Sequence, residues 1–234
     1  MAKIVAFEGK PSSGKTTLSE LVERELNSAG ISTLEAKRYS SENGMLSGML
    51  RKFTQQDIVS RRDTVRSVLY HMLNYAEAMV AAKRYSEDFE VILMQRVPWS
   101  YLNIIDAMRG GSGAPEFDAA GGLYFITERW ARLAKPDLIV YLTAPQAVLE
   151  ERFAERTDAG VRLGSDRVHR LLISRDDKPY IAFLREYVDG NVQVVDSTDR
   201  DVAACEIVEI IRKERLLTRA PVAAQAGKTA SERS

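Results

Sequence analysis

The chain has 234 residues, 45% of them apolar, with 33 basic and 33 acidic side chains and therefore no formal net charge. That length suits one α/β domain, with or without a helical insertion, and the balanced charge argues against a dedicated nucleic-acid or membrane-surface protein. No apolar run approaches the roughly 18 residues that a membrane span needs, no signal peptide precedes the first strand, and the single cysteine, Cys205, excludes an internal disulfide and fits a reducing, cytoplasmic setting.

Lys3 to Phe7 reads as a buried parallel strand, and Thr16 to Ala29 as a helix with Leu18, Leu21, Val22 and Leu26 on one stripe. Gly30 stands where a helix C-terminal glycine belongs. Between strand and helix runs Gly9-Lys10-Pro11-Ser12-Ser13-Gly14-Lys15-Thr16, followed by Thr17. Gly9, Gly14, Lys15 and Thr16 have the spacing of a phosphate-binding loop, in which backbone N–H groups and a helix N-terminus cradle phosphate. In such a loop Lys15 reaches the β- and γ-phosphates of ATP and the Thr16 hydroxyl helps hold Mg²⁺.

Further along, 31–36 reads as a second strand ending at Lys37-Arg38-Tyr39, 45–53 as a short helix, and 56–86 as a long helix with an apolar stripe through Val65, Val68, Leu69 and Met72. Val91 to Met94 is an uninterrupted apolar run, hence a central parallel strand. It is followed by Gln95-Arg96-Val97-Pro98, a helix over 99–108, a glycine-rich loop over 110–122 and a helix over 123–134. The remaining expectations are a strand over 137–142, a helix from Pro145 to Arg156 and a polar segment over 157–166. One helix from Arg167 towards Val188, a strand over 192–195 and a final helix over 201–217 complete the series. Cys205, in that last helix, reads as a small core residue, and the chain from 219 as a disordered tail. The alternation of strands and helices predicts an α/β fold: a five-stranded parallel sheet with helices on both faces, a short lid at about 157–166, and one domain over 1–218. The site belongs at the C-terminal ends of the strands.

These motifs resemble the thymidylate kinase family within the nucleoside and nucleotide kinases of the phosphate-loop class. The likeness rests on Phe7-Glu8-Gly9 opening the loop, on Arg96 and Ser100 after the third strand, and on Lys135-Pro136-Asp137-Leu138 opening the fourth, over about residues 3 to 212. The resemblance implies ATP and Mg²⁺ as donor and cofactor, with the loop residues Gly9 to Thr17 binding ATP. It implies Arg96 clamping a transferring or acceptor phosphate, and lid arginines, Arg156 and Arg162 foremost, closing over the donor. Arg38, Tyr39, Tyr75, Arg96 and Ser100 fall at acceptor-binding positions. The implied partner is a small nucleotide or nucleoside-like acceptor, and a homodimer through the long helices is one implied assembly.

The sequence departs from the family at Gln95 and Val97, which stand for an Asp and a Tyr, at Asn74 or Tyr75, one of which falls where an Arg binds the monophosphate, and at Pro11, which stands for an acid that contacts the sugar hydroxyl. Three functions follow: transfer to a nucleotide (dTMP + ATP giving dTDP + ADP), transfer to the hydroxyl of a nucleoside or other small molecule, or a nucleotide-binding regulator without transfer. A hydroxyl acceptor benefits from a carboxylate base, for which Glu8, Glu35, Glu42 and Asp106 are candidates.

Overall fold

The computed structural model describes residues 2–36, 75, 79–80, 87–108, 128–129, 131–132, 135–158 and 166–219. Strand β1 (Lys3–Gly9) pairs with β3 (Val91–Gln95) on one side and β4 (Leu138–Thr143) on the other. Outside them lie β2 (Thr33–Glu35), against β3, and β5 (Val192–Asp196), against β4. All pairings are parallel, and the order across the sheet is β2-β3-β1-β4-β5. The described helices with assigned bounds are α1 (Lys15–Ser28), α2 (Trp99–Met108), α3 (Gln146–Asp158), α4 (Asp166–Ser174), α5 (Lys178–Tyr187) and α6 (Arg200–Arg219).

Covering both faces with helices explains why the inner strands are apolar at nearly every position. Val5, Phe7, Leu93, Val140 and Leu142 point to one side, where they meet Leu18, Val22 and Leu26 of α1 and Ala203, Ile207 and Ile211 of α6. Ala6, Ile139 and Tyr141 point to the other, against Trp99 and Leu102 of α2 and Tyr180 and Leu184 of α5. Ile92 and Met94 of β3 pack with Ala36, Tyr75 and Met79. Register brings Phe7 level with Gln95 and Val140, and Gly9 level with Leu142, so the C-terminal ends of β1, β3 and β4 share one edge of the sheet. That edge carries the phosphate loop.

Several boundaries differ from the sequence reading. The second strand spans three residues rather than 31–36, because the Ile31 amide closes the end of α1 by donating to the Leu26 carbonyl at 2.9 Å. The single helix expected from Arg167 towards Val188 is two, α4 and α5, broken at residues 175–177. Pro179 in the first turn of α5 supplies no N–H and is tolerated only near a helix start. The Asp176 side chain accepts the Lys178 amide at the new N-terminus. Cys205 is exposed rather than in the core, since the buried stripe of α6 runs through Ala203, Ala204, Ile207, Val208 and Ile211. Among the described residues no helix is long and apolar enough to cross a membrane. The expected short helix at 45–53, nearly all of the long helix, the loop at 110–122, most of the lid and residues 220–234 lie outside the described residues, and so does the implied dimer contact.

Gly9 joins sheet to loop with φ 137°, and a Cβ there would stand 2.5 Å from the Leu142 carbonyl oxygen of β4. Gly9→Ala therefore has to push β1 and β4 apart or abandon the loop conformation, and a loss of about 3 kcal/mol or more is expected. Urea denaturation measures it; a variant as stable as the parent would show that the loop does not leave β1 this way.

Candidate active site

Residues 9–15 wrap around the Lys15 side chain. Its ammonium donates to the Gly9 carbonyl at 2.8 Å, the Lys10 carbonyl at 2.6 Å and the Ser13 hydroxyl at 3.3 Å. Helix α1 starts from Gly14, which sits in the left-handed region with φ 90° and makes no side-chain cap. The first amides of the helix are thereby left facing the loop, a ready anion site. Ser12, also at positive φ (62°), has a buried hydroxyl with no hydrogen-bond partner. A cradle with an orphaned hydroxyl, a helix N-terminus and a lysine folded onto its own carbonyls fits the phosphates of a nucleotide. Burial, and next the nearby Arg96, depress the Lys15 pKa to about 7, with Glu8 opposing them. Arg156, in the last turn of α3, adds to the depression, so its charge is felt at the loop although the side chain is exposed.

The second cation, Arg96, follows β3 at φ 72°, in the left-handed region that side chains rarely adopt. Two contacts hold it there. Its amide donates to the Phe7 carbonyl at 2.8 Å, and the next amide, of Val97, donates to the Glu8 carboxylate at 2.6 Å. The Ser100 hydroxyl donates to the same Glu8 oxygen. Burial pushes the Glu8 pKa up, opposed first by Arg96. Glu8, a candidate base from sequence, thus spends its lone pairs on the turn that presents Arg96, and Ser100 belongs to the same clamp.

Gln95 was notable in sequence for lacking a carboxylate. In the fold it accepts from the Thr16 hydroxyl at 3.0 Å and donates to the Ser19 hydroxyl at 3.1 Å and to Glu35 Oε1 at 3.0 Å. Glu35 ends β2 and is 3% exposed. A carboxylate therefore stands one side chain behind Thr16, brought by a different strand. These oxygen donors fit a hard divalent cation that keeps most of its other ligands from phosphate and water. Among the described residues no cluster of three acidic, histidine or cysteine side chains offers a dedicated metal cage.

Arg152, bracketing the lid in sequence, turns the other way and donates to the Ser197 and Thr198 carbonyls, both at 2.9 Å, fixing the loop after β5. Asp199 caps α6 by accepting the Asp201 and Val202 amides. Tyr75 packs among the apolar side chains beside β3. Arg38, Tyr39 and Arg162 lie outside the described residues. The structure therefore brings together Lys15, Thr16, Arg96 and Ser100, with Arg156 nearby.

A cleft opens beside Arg96, between the phosphate loop, α2 and the break between α4 and α5. Asn103, Asp176, Asp177 and Tyr180 line it and were not singled out in the sequence. The proline that breaks the expected helix was the available signal, since the break turns 175–177 towards the cleft.

A parallel sheet in this order, with a phosphate loop after the central strand and an arginine after the strand beside it, defines a phosphate-loop fold of the kinase type. Among the solved structures that share it are two kinases. The deoxyadenosine kinase from M. mycoides, solved with bound dATP, superposes with a TM-score of 0.57 at 16% identity over 89% of this chain and 98% of that one. The thymidylate kinase from Ehrlichia chaffeensis does so with a TM-score of 0.54 at 16% identity over 90% of this chain and 98% of that one. The likeness is one of fold. No protein-family model matches the chain, and no curated protein matches it in sequence.

A bound phosphate beside Lys15 restores its positive charge, so nucleotide binding takes up a proton wherever the free lysine is neutral. Through this group, affinity is full below pH about 7 and falls as pH rises above it. Calorimetric titration with ADP near pH 8, in buffers of different ionisation enthalpy, should show uptake approaching one proton, absent in Lys15→Arg because guanidinium does not titrate there. No uptake in the parent protein would mean that Lys15 is already charged in the empty loop.

Proposed function

We propose that the chain is an ATP- and Mg²⁺-dependent kinase that transfers a phosphoryl group to a nucleotide acceptor, as in dTMP + ATP giving dTDP + ADP. The observation that carries this reading is the convergence of Lys15 and Arg96 on one sheet edge, close enough that Arg96 is among the leading depressants of the Lys15 pKa. Two cations converging beside a phosphate loop suit a group that brings several negative charges.

Phosphoryl transfer needs positioning and charge stabilisation more than covalent chemistry. In this reading Lys15 leaves the Gly9 and Lys10 carbonyls for the donor phosphates, and the loop amides and Ser12 hydroxyl complete the cradle. Arg96 faces the transferring group from the acceptor side. Its fixed turn spares it reorganisation at the moment of transfer. Arg156 approaches from α3, and Arg162 from the lid at about 157–166, within a kinase domain proposed to span 1–218 in a cytoplasmic protein. The Thr16 hydroxyl would help hold Mg²⁺, which would supply neutralisation of the charge that develops on the phosphates. A phosphate acceptor is already anionic and needs no base.

A specific observation favours a second reading, transfer to a nucleoside hydroxyl. The buried Glu35 carboxylate is bonded to Gln95 beside Thr16, so an acidic group is near the transfer point despite the loss of one at position 95. One of the two fold neighbours is named as a deoxyadenosine kinase.

ADP formation measured with dTMP, with deoxyadenosine and with no acceptor separates these readings. Stimulation by dTMP supports the first; stimulation by the nucleoside alone supports the second; tight ATP binding without either transfer would leave a nucleotide-binding regulator. In both kinase readings Lys15→Ala and Arg96→Ala should each lower kcat by roughly a hundred- to a thousandfold, and an unchanged rate in either variant would remove that side chain from the mechanism.

A further inference from the structure

Helices α4 and α5 meet at residues 175–177, and the junction is bonded to three other parts of the protein. Arg175 donates to the Asn103 carbonyl at 3.2 Å and to its side-chain oxygen at 3.3 Å, which ties the break to α2. Asp177 shares a hydrogen bond with the Tyr141 hydroxyl of β4. The third tie comes from the phosphate loop. Lys10 donates to the Ile173 carbonyl at 3.0 Å, and its ammonium lies 3.5 Å from an Asp177 oxygen.

A lysine at this junction suits both helices. Ile173 is in the last turn of α4, where carbonyls lack partners within the helix and a cation is favoured. Asp177 is the N-cap residue of α5, where an anion is favoured. One ammonium therefore closes the end of one helix and pairs with the residue that opens the next. Both side chains are largely withdrawn from water, with 17% of Lys10 and 21% of Asp177 exposed, so salt screens the pair less than a surface pair. The spacing rule of a phosphate loop leaves position 10 open to any residue. The Lys10 side chain is thus not required by the loop, and what it bonds is a wall of the cleft beside Arg96.

The main chain of Lys10 makes a different set of bonds. Its carbonyl accepts the Lys15 ammonium at 2.6 Å and the Ser13 amide at 3.3 Å. In the kinase reading Lys15 leaves that carbonyl for the donor phosphates. Of the three ties, the one through Lys10 is therefore the one that starts from a residue whose own bonding changes with nucleotide. We infer that Lys10 is a positioning residue that couples nucleotide at the phosphate loop to the α4–α5 wall of the cleft. Phosphate bound by the loop amides fixes the loop, and the Lys10 side chain passes that order to residues 173–181. Linkage makes the effect reciprocal, so a group bound against that wall strengthens nucleotide binding at the loop. The inference rests on the kinase reading for what occupies the loop, and it adds the link from loop to wall.

Amide hydrogen exchange of the full chain, with and without saturating ADP and Mg²⁺, tests it in peptides covering the loop and residues 173–181. In the parent protein ADP should slow exchange in both, by roughly tenfold in the second, an ordinary coupling between sites. Lys10→Met keeps the length of the side chain and removes its charge. ADP should still slow exchange in the loop of this variant, but by about twofold or less in 173–181. Lys10→Arg, which can bond the same carbonyl and carboxylate, should restore most of the effect. A merely structural lysine would raise exchange in 173–181 equally with and without ADP, leaving their ratio intact, and that result overturns the inference. So does a parent protein in which ADP protects the loop alone. Should Lys10→Met not fold, Asp177→Asn weakens the same pair from the other side, with a fall to about threefold expected and an unchanged ratio overturning the inference. Phosphoryl transfer judges the kinase reading separately. Transfer without ADP-dependent protection of 173–181 leaves that reading standing and removes the inference. Protection that depends on Lys10, with no transfer to any acceptor, does the reverse, and no ADP binding at all overturns both.

Discussion

The Glu8 carboxylate ends β1 inside the protein, 1% exposed, and receives the Val97 amide and the Ser100 hydroxyl. A buried charge of this kind persists only when it is well bonded and near opposite charge. Both conditions are met by the two groups it organises: the turn that holds Arg96 at φ 72°, and Lys15 in the adjacent loop. The strained arginine turn, the depressed lysine and the raised carboxyl are one electrostatic arrangement. The parallel register of β1 with β3 makes it possible, because it sets Phe7 level with Gln95 and so places Glu8 beside the residues that follow.

Gln95 performs a corresponding task beside Thr16. As a neutral amide it both accepts from Thr16 and donates to Glu35, which a carboxylate at that position could not do. The acid is displaced to β2 and the amide serves as the link. The cleft beside Arg96 is likewise lined from a distant part of the chain. The loop offers Pro11, and the carboxylates that line the cleft come from the break between α4 and α5. In both places the charge is present, carried by a residue far away in sequence.

Those displacements mark the limit of what the sequence reveals. The strands were legible because Ile4 to Phe7, Val91 to Met94 and Leu138 to Leu142 are apolar runs that only a sheet covered on both faces accommodates, and the loop was legible because its chemistry requires fixed spacing within eight residues. The α4–α5 break was not, since the apolar positions of 167–188 can be drawn as one helix and Pro179 weighs against that at a single point. Cys205 was misplaced for a related reason: composition makes cysteine a core residue, but the period of α6 turns it outward. Gln95 and Asp177 were hidden because their partners, Glu35 and Lys10, are joined to them only by the crossing of strands and helices.

The central claim is that Lys15, resting on the carbonyls of Gly9 and Lys10, and Arg96, held by its Glu8-bonded turn, act together on a nucleotide's phosphates. A crystal structure with ADP, aluminium fluoride, Mg²⁺ and dTMP tests it most directly. The account predicts that the Lys15 ammonium leaves those carbonyls for the fluoride and the β-phosphate, while the Arg96 turn and its Glu8 bonds stay in place and the guanidinium contacts the group in transfer. A complex in which Lys15 remains on the loop carbonyls, or in which Arg96 points away from the transferring group, would contradict it.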